Sequence, residues 1–470
     1  MKHRMLALLV TLPLLLSGLT LDEAVARARQ HNRELQKARE NIAAIDAEYR
    51  NVRGSLLPQI TLAGNYSLSK TWLPDSAIPS MSSLTDMIYT SDDLAQPYGA
   101  NDTLLLSNDD TIAGFIDGAL GGFVPDAEQE EASLAAQIQL NQVVFMGGKL
   151  INGLRVAGKV KTITRKQYFV QEQQVVYQTK DMFYGTLLAQ KVVEIQRDAL
   201  QTAQDHYELV EQMFQQGIVS EYDRLRAELE VAKLRPELTN AENNLRLAIE
   251  QMRNQIGWED GELVLEGEIV MPAVQNMPLN EALAEGLANR TELDLQSINV
   301  DIQDVLYRTE KGNFLPNIAI SASYSKYTAA DDFNIESDDF GDMWQVGIGF
   351  QIPLFTGLSN TAKQAKARHQ LNQAKLDMRE LEDMIELDVR NAWLRLQHDL
   401  ENVQTQQDNI ALARKGLAIA EARYENSVGI QLDVFDAQIL YKSTRLQYLQ
   451  SVYQAIMSWE ALQKALGRTI

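Results

Sequence analysis

The chain carries one layout twice. Residues 21–67 align without gaps on 279–325 at a constant offset of 258. This arm pairs Leu21 with Leu279, Glu23 with Glu281, Leu35 with Leu293, Tyr49 with Tyr307, Gly54 with Gly312 and Pro58 with Pro316. A second arm aligns 140–257 on 350–467 at an offset of 210, pairing Phe145 with Phe355, Gly147 with Gly357, Asp223 with Asp433 and Gly257 with Gly467. The offsets differ by 48 residues, so the first copy carries an insertion between its arms. Repetition of this kind demands two quasi-equivalent structural units. The boundaries it implies are a first repeat over 19–257, a linker over 258–278 and a second repeat over 279–467.

Within each repeat the hydrophobic period changes in a fixed order. Thr20 and Glu23 form a capping box, and a helical pattern runs from there to about Arg53, which Gly54 is expected to close as a C-terminal glycine. After Pro58 the period becomes two. Ile60, Leu62, Tyr66, Leu68 and Trp72 alternate with Gln59, Thr61, Asn65, Ser67 and Thr71, as in a strand with one apolar and one polar face. The same alternation recurs over 134–142, 317–326 and 344–352, so each repeat holds two strands of a hairpin.

Beyond Gly147 and Gly357 the pattern predicts very long helices, about 148–216 and 358–428, neither containing proline. In the second, Leu371, Ala374, Met378, Leu381 and Ile385 keep the 3-4 spacing of a coiled-coil seam. Short breaks follow, and helices return over about 220–256 and 431–466, with Pro236 expected to kink the first of them. Each long helix is as long as the two shorter helices of its repeat together, so those two can stack end to end beside it.

Four strands cannot close a barrel, and an open sheet with a wholly apolar face leaves sticky edges. A soluble sheet packed on helices is one solution. It lacks a spare apolar helix face to cover the sheet. A closed membrane barrel, apolar outside and polar inside, is the other. Two chains would supply eight strands and three would supply twelve, of which only the larger leaves a lumen. Trp72 and Trp344 at the loop-side strand ends, with Phe145 and Phe355 at the helix-side ends, suit aromatic girdles, although each alone could be ordinary core.

Composition narrows the function. A net charge of -21 disfavours nucleic acid as a partner. With no cysteine and five scattered histidines, neither a thiolate metal site nor a histidine-based centre is expected. No enzyme motif is present: the GGK at 147–149 lacks the upstream glycine of a phosphate loop. Residues 1–18, a basic start followed by an apolar run, read as a signal peptide. The long loop of the first hairpin, 73–133, is acidic and without Lys or Arg, as expected of a solvated loop; divalent-cation binding there is a sharper alternative, though no defined calcium loop is matched.

The motifs LTLDEAVARA, GSLLPQITLAGNYS, GNFLPNIAISASYS, FQIPLFTG, YENSVGIQLDVFDAQ and WEALQKALG, in this order, resemble the TolC family of outer membrane efflux channels. The resemblance covers nearly the whole chain after residue 18. It implies an α+β membrane protein, in which four strands per chain complete a trimeric twelve-strand β-barrel and long coiled-coil helices form a periplasmic α-barrel. It also implies a homotrimer in the Gram-negative outer membrane. This would be the passive exit duct of a tripartite efflux or type I secretion system, joined to a periplasmic adaptor and an inner-membrane transporter, with no catalytic site and no cofactor. An autonomous porin-like pore is the alternative, disfavoured by the helical material beyond the hairpins. In the family, acids after the second tip turn ring the closed periplasmic mouth. The matching positions are Asp433 and Asp436, with Asp223 and Arg226 as first-repeat equivalents and Tyr424 and Phe214 as aromatics before the turns. The bland reading of Asp433 is helix N-terminal capping and dipole stabilisation. The tips expected to meet the adaptor are Gly217, Ile218, Val219 and Ser220, and Ser427, Val428, Gly429 and Ile430.

Overall fold

The computed structural model describes residues 18–71, 129–259, 261–274, 277–330, 335–426 and 428–468. The signal-like segment, Trp72, Ser427 and most of the acidic loop lie outside the described residues. The elements run α1 (Leu21–His31), α2 (Arg33–Gly54), β1 (Gln59–Thr71), β2 (Gln129–Met146), α3 (Lys149–Gln215) and α4 (Glu221–Ile256). The second repeat gives α5 (Leu279–Asn289), α6 (Thr291–Lys311), β3 (Asn317–Ala330), β4 (Gly341–Gln351), α7 (Ser359–Glu425) and α8 (Gln431–Ala465). Two compact units result: one of helices, one of strands.

The strand unit is a single antiparallel sheet in the order β1-β2-β3-β4. Register carries the alternation across all four strands. Leu62, Ile138, Tyr324 and Trp344 form one cross-strand row, while Thr61, Gln139, Ser323 and Gln345 form the neighbouring row on the opposite face. The apolar face is bare: Leu62 is 75% exposed, Trp344 74% and Phe350 77%. β2 is longer than the period-two run, and a register shift between Val143 and Phe145 lets Phe145 face Ile318. Phe355 does not end a strand. It follows β4 and is exposed, because the chain has already left the ladder at Gln351.

In the helical unit, α4 packs along α3 and α8 along α7. The two 67-residue helices are each about 100 Å long at about 1.5 Å per residue. The expected seam is present: Leu371, Ala374 and Ile385 are buried, and Met378 and Leu381 pack against the core that holds Ile385. α4 stays helical through Pro236. The first helix of each repeat, however, is not continuous. It breaks at Asn32 in one repeat and at Arg290 in the other, the same repeat position, where both residues turn extended. Gly54 is not a left-handed cap either: it remains within α2, and its φ is not positive.

These breaks organise the core. The Asn32 amide nitrogen donates to the Gln255 carbonyl at the end of α4, and its side-chain oxygen accepts from the Glu34 and Leu35 backbone N–H groups, capping α2. The shorter helices therefore meet end to end beside α3. The same core is built twice. Ala24, Leu35, Val175, Met252 and Ile256 in one repeat match Ala282, Leu293, Ile385, Leu462 and Leu466 in the other, and all are buried. Each large member contributes on the order of 1.5–3 kcal/mol by burial. The described part of the linker adds a parallel bridge, Leu19 to Leu265. Polar pairs stitch the repeats together: Lys180 to Glu460 at 2.8 Å, Arg445 to Asp198 at 3.1 Å and the Tyr453 hydroxyl to Asp181 at 2.5 Å.

Candidate functional site

The helical tips bring together the polar and aromatic residues singled out from the sequence. α3 ends in a Schellman motif: the Ile218 N–H donates to the Met213 carbonyl and the Gly217 N–H to the Phe214 carbonyl, both at 2.9 Å. Gly217 has φ 72°, which a side chain would strain. The second tip repeats the long bond, from the Val428 N–H to the Arg423 carbonyl at 2.9 Å. Ile218, Val428 and Ile430 are exposed, while Val219 is half-buried against the tip core.

The two acidic positions after the tips differ. Asp223 is in a capping box. Its carboxylate accepts from the Ser220 N–H at 3.1 Å and the Ser220 hydroxyl at 2.6 Å, and the Ser220 oxygen accepts from the Asp223 N–H. Asp433 follows Ile430, which cannot cap, and its side chain makes no cap bond. Asp433 and Asp436 are both exposed, one turn apart on α8, and among the described residues neither meets a base. Of the bland reading of Asp433, the cap is not made, while its place in the first turn of α8 keeps the dipole contribution; its equivalent Asp223 is a cap.

Tyr424 and Phe214 are likewise unequal. Tyr424 is 7% exposed in a core with Val210, Ala227, Val434 and Phe435, and its hydroxyl has no partner. Burial, with the Asp223 charge behind it, raises its pKa. Phe214 is half-exposed beneath Arg224, whose guanidinium lies 5.7 Å from the ring centre and also faces Glu211 and Glu228. Arg226 sits 5.6 Å from the Phe435 ring rather than beside an acid.

Sequence reasoning missed His206 and Gln431. His206 is buried on α3 between Tyr424 and Phe435, and Gln431 opens α8 against it. The signal for His206 was its place in a seam: Ala203, His206 and Val210 keep 3-4 spacing, and all three are buried. Gln431 had none. No cluster of three metal-ligating side chains occurs among the described residues.

A sheet with a bare apolar face and a polar face has the alternation of a membrane β-barrel wall. The sequence profile of the outer membrane efflux protein family matches residues 121–257 and 282–468, so the chain belongs to that family. It is similar to the outer membrane efflux protein BepC of Brucella suis, 23% identical over 70% of this chain and 71% of the relative. It is also similar to TolC of Vibrio cholerae, 22% identical over 73% and 78%. Among solved structures, that of CusC superposes with a TM-score of 0.72 at 17% identity, over 95% of this chain and 92% of the other. VceC of Vibrio cholerae superposes at 0.67 and 14% identity, over 95% and 96%. The chain is an outer-membrane efflux channel with a periplasmic helical extension.

Proposed function

We propose that the protein is the passive exit duct of a tripartite efflux or type I secretion system, working as a homotrimer without a catalytic site or cofactor. The observation that carries this reading is the sheet. Both β1 and β4 are edge strands, one face is bare and apolar, and four strands are too few to close. Three copies provide twelve strands and a lumen lined by rows such as Thr61, Gln139, Ser323 and Gln345. Trp344, Phe145 and Phe355 serve at the two membrane interfaces of this arrangement, and residues 1–18 direct export. An autonomous pore would need only short turns on the periplasmic side.

The tips at Gly217–Ser220 and 428–430, with Ile218, Val428 and Ile430 exposed, are the surface offered to a periplasmic adaptor, behind which stands an inner-membrane transporter. Asp433 and Asp436, with Asp223, Arg226, Tyr424 and Phe214 behind them, form the periplasmic mouth. Photo-crosslinkers placed at Ile218 and Val428 in cells are expected to capture one adaptor species. Capture from neither tip, with crosslinkers on the outer face of α4 serving as controls, would overturn the docking assignment.

A further inference from the structure

Gln431, the first residue of α8, is 5% exposed and reaches two helices of the other repeat. Its side-chain nitrogen donates to the Asp223 carbonyl on α4 at 3.2 Å and lies 3.4 Å from His206 Nε2 on α3. A backbone carbonyl only accepts, so the amide atom facing Asp223 is the nitrogen. That nitrogen meets His206 Nε2 favourably only if the ring atom is an unprotonated acceptor. His206 is therefore neutral in this packing, with its proton on Nδ1. Its ring is 8% exposed, 5.3 Å from the Tyr424 ring on α7 and 5.2 Å from the Phe435 ring on α8. Burial holds its pKa below the ordinary 6.5, and no neighbouring charge contributes to that shift.

A proton on His206 Nε2 breaks this arrangement. The ring atom becomes a donor and needs an acceptor. Gln431 Oε1 is buried and unpartnered, but turning it toward His206 withdraws the amide nitrogen from the Asp223 carbonyl. One of the two links is lost in either orientation. The groups around the ring do not neutralise the new charge. From α4 come Asp223, whose carboxylate stays charged but is turned back onto Ser220 and contributes nothing to the His206 shift, and Arg226, a like charge across Phe435. From α7 comes the Tyr424 phenol, and on α8 Asp433 is exposed two residues beyond Gln431.

We propose that the His206–Gln431–Asp223 bridge is a proton-sensitive latch, which holds the α7–α8 tip on the α3–α4 tip and releases it when the periplasm acidifies. The proposal rests on the reading of these tips as the periplasmic mouth. Its sign follows from linkage. The packed tip prefers neutral His206, while a released tip exposes His206 at its ordinary value of 6.5. The latch is therefore at full strength above that value and weakens as pH falls through the lower value of the packed state.

The chain has no cysteine, so spin labels at Ile218→Cys and Val428→Cys report the distance between the two tips of one chain without background. The label pair is made in one subunit of the purified channel, and its distance distribution is recorded at several pH values from about 7.5 to about 5, bracketing the ordinary His value. The distribution is expected to broaden and move outward below 6.5 in the parent sequence. It should stay fixed in His206→Phe, which keeps the ring packing without a titrating nitrogen. In Gln431→Met, which keeps the volume without the bridge, it should be broad at every pH. A distribution that does not respond to pH in the parent sequence overturns the latch, and so does an equal response in His206→Phe. Single-channel conductance over the same pH series tests the mouth separately. Tips that separate while conductance stays constant leave the latch standing and place the constriction elsewhere.

Discussion

Asp223 and Asp433 hold the same place in the two repeats and act differently, and the cause is one residue upstream of each helix. Ser220 offers a hydroxyl and an N–H that take up the Asp223 carboxylate; Ile430 has no side-chain donor and leaves Asp433 in solvent. In the proposed trimer the carboxylates of Asp433 and Asp436, one turn apart, would become six around a three-fold axis, and a narrow entrance lined by acids concentrates cations. In Asp433→Ala with Asp436→Ala, block by a trivalent cation applied from the periplasmic side is expected to weaken. Resting single-channel conductance is expected to rise as contacts between subunits are lost. If conductance and block both stay as in the parent, these aspartates do not line the mouth. Asp223→Ala removes a cap and is expected to cost about 0.5–2 kcal/mol of stability, read as a lower thermal midpoint.

At the scale of elements, each repeat breaks its first helix and seals the break with a glycine from its last. Gly257 has φ 62°, and a Cβ there would lie 2.9 Å from the His31 Cβ. Gly467 has φ 70°, and a Cβ there would lie 2.7 Å from the Asn289 backbone. His31 and Asn289 are themselves equivalent. The two joints share geometry and differ in chemistry. Asn32 caps α2 and bonds the Gln255 carbonyl. Arg290 instead reaches Glu292 at 3.0 Å, Asp388 at 2.7 Å and the Ala465 carbonyl at 3.4 Å. Because Asn32 is buried, Asn32→Ala leaves a cap unmade and a carbonyl unpaired. The expected loss is about 1–3 kcal/mol, seen as a lower midpoint for loss of helical circular dichroism on heating. A midpoint equal to that of the parent would show that the Asn32 bonds do not hold the joint. The continuous-helix expectation failed here because a single Asn between His31 and Arg33 does not interrupt the apolar period; only the approach of α4 makes the extended conformation worth adopting.

For the whole molecule, the four-stranded sheet is the element that cannot stand alone. Its bare rows of Leu62, Trp344 and Phe350 require lipid, and its edge strands require partners. Light scattering in detergent is expected to give three times the 52.8 kDa chain mass once bound detergent is subtracted. A monodisperse monomer with intact strand content would exclude the shared barrel. A channel of this charge, -21 in each chain, is also expected to prefer cations. Reversal potentials across a bilayer under a salt gradient would show it, and anion preference at low salt would contradict it.

Sequence alone determined the features that depend on local period. The two-fold repeat, the switch from period 3.6 to period two after each proline, the seam at Leu371, Ala374 and Ile385, and the glycine at the first tip were all legible, because each is a statement about neighbours along the chain. The acids at 433 and 436 were found by resemblance, and the structure shows them exposed. What only the tertiary structure decided lies where distant segments meet. It broke the first helices at Asn32 and Arg290, made Asp223 a cap and Asp433 free, buried Tyr424 while leaving Phe214 half-exposed, and set Gln431 between His206 and the Asp223 carbonyl. These outcomes turn on which buried polar atom finds a partner across some 200 residues of chain. A one-dimensional pattern does not carry that information, because the cost of an unpaired buried group is decided only when the helices come together.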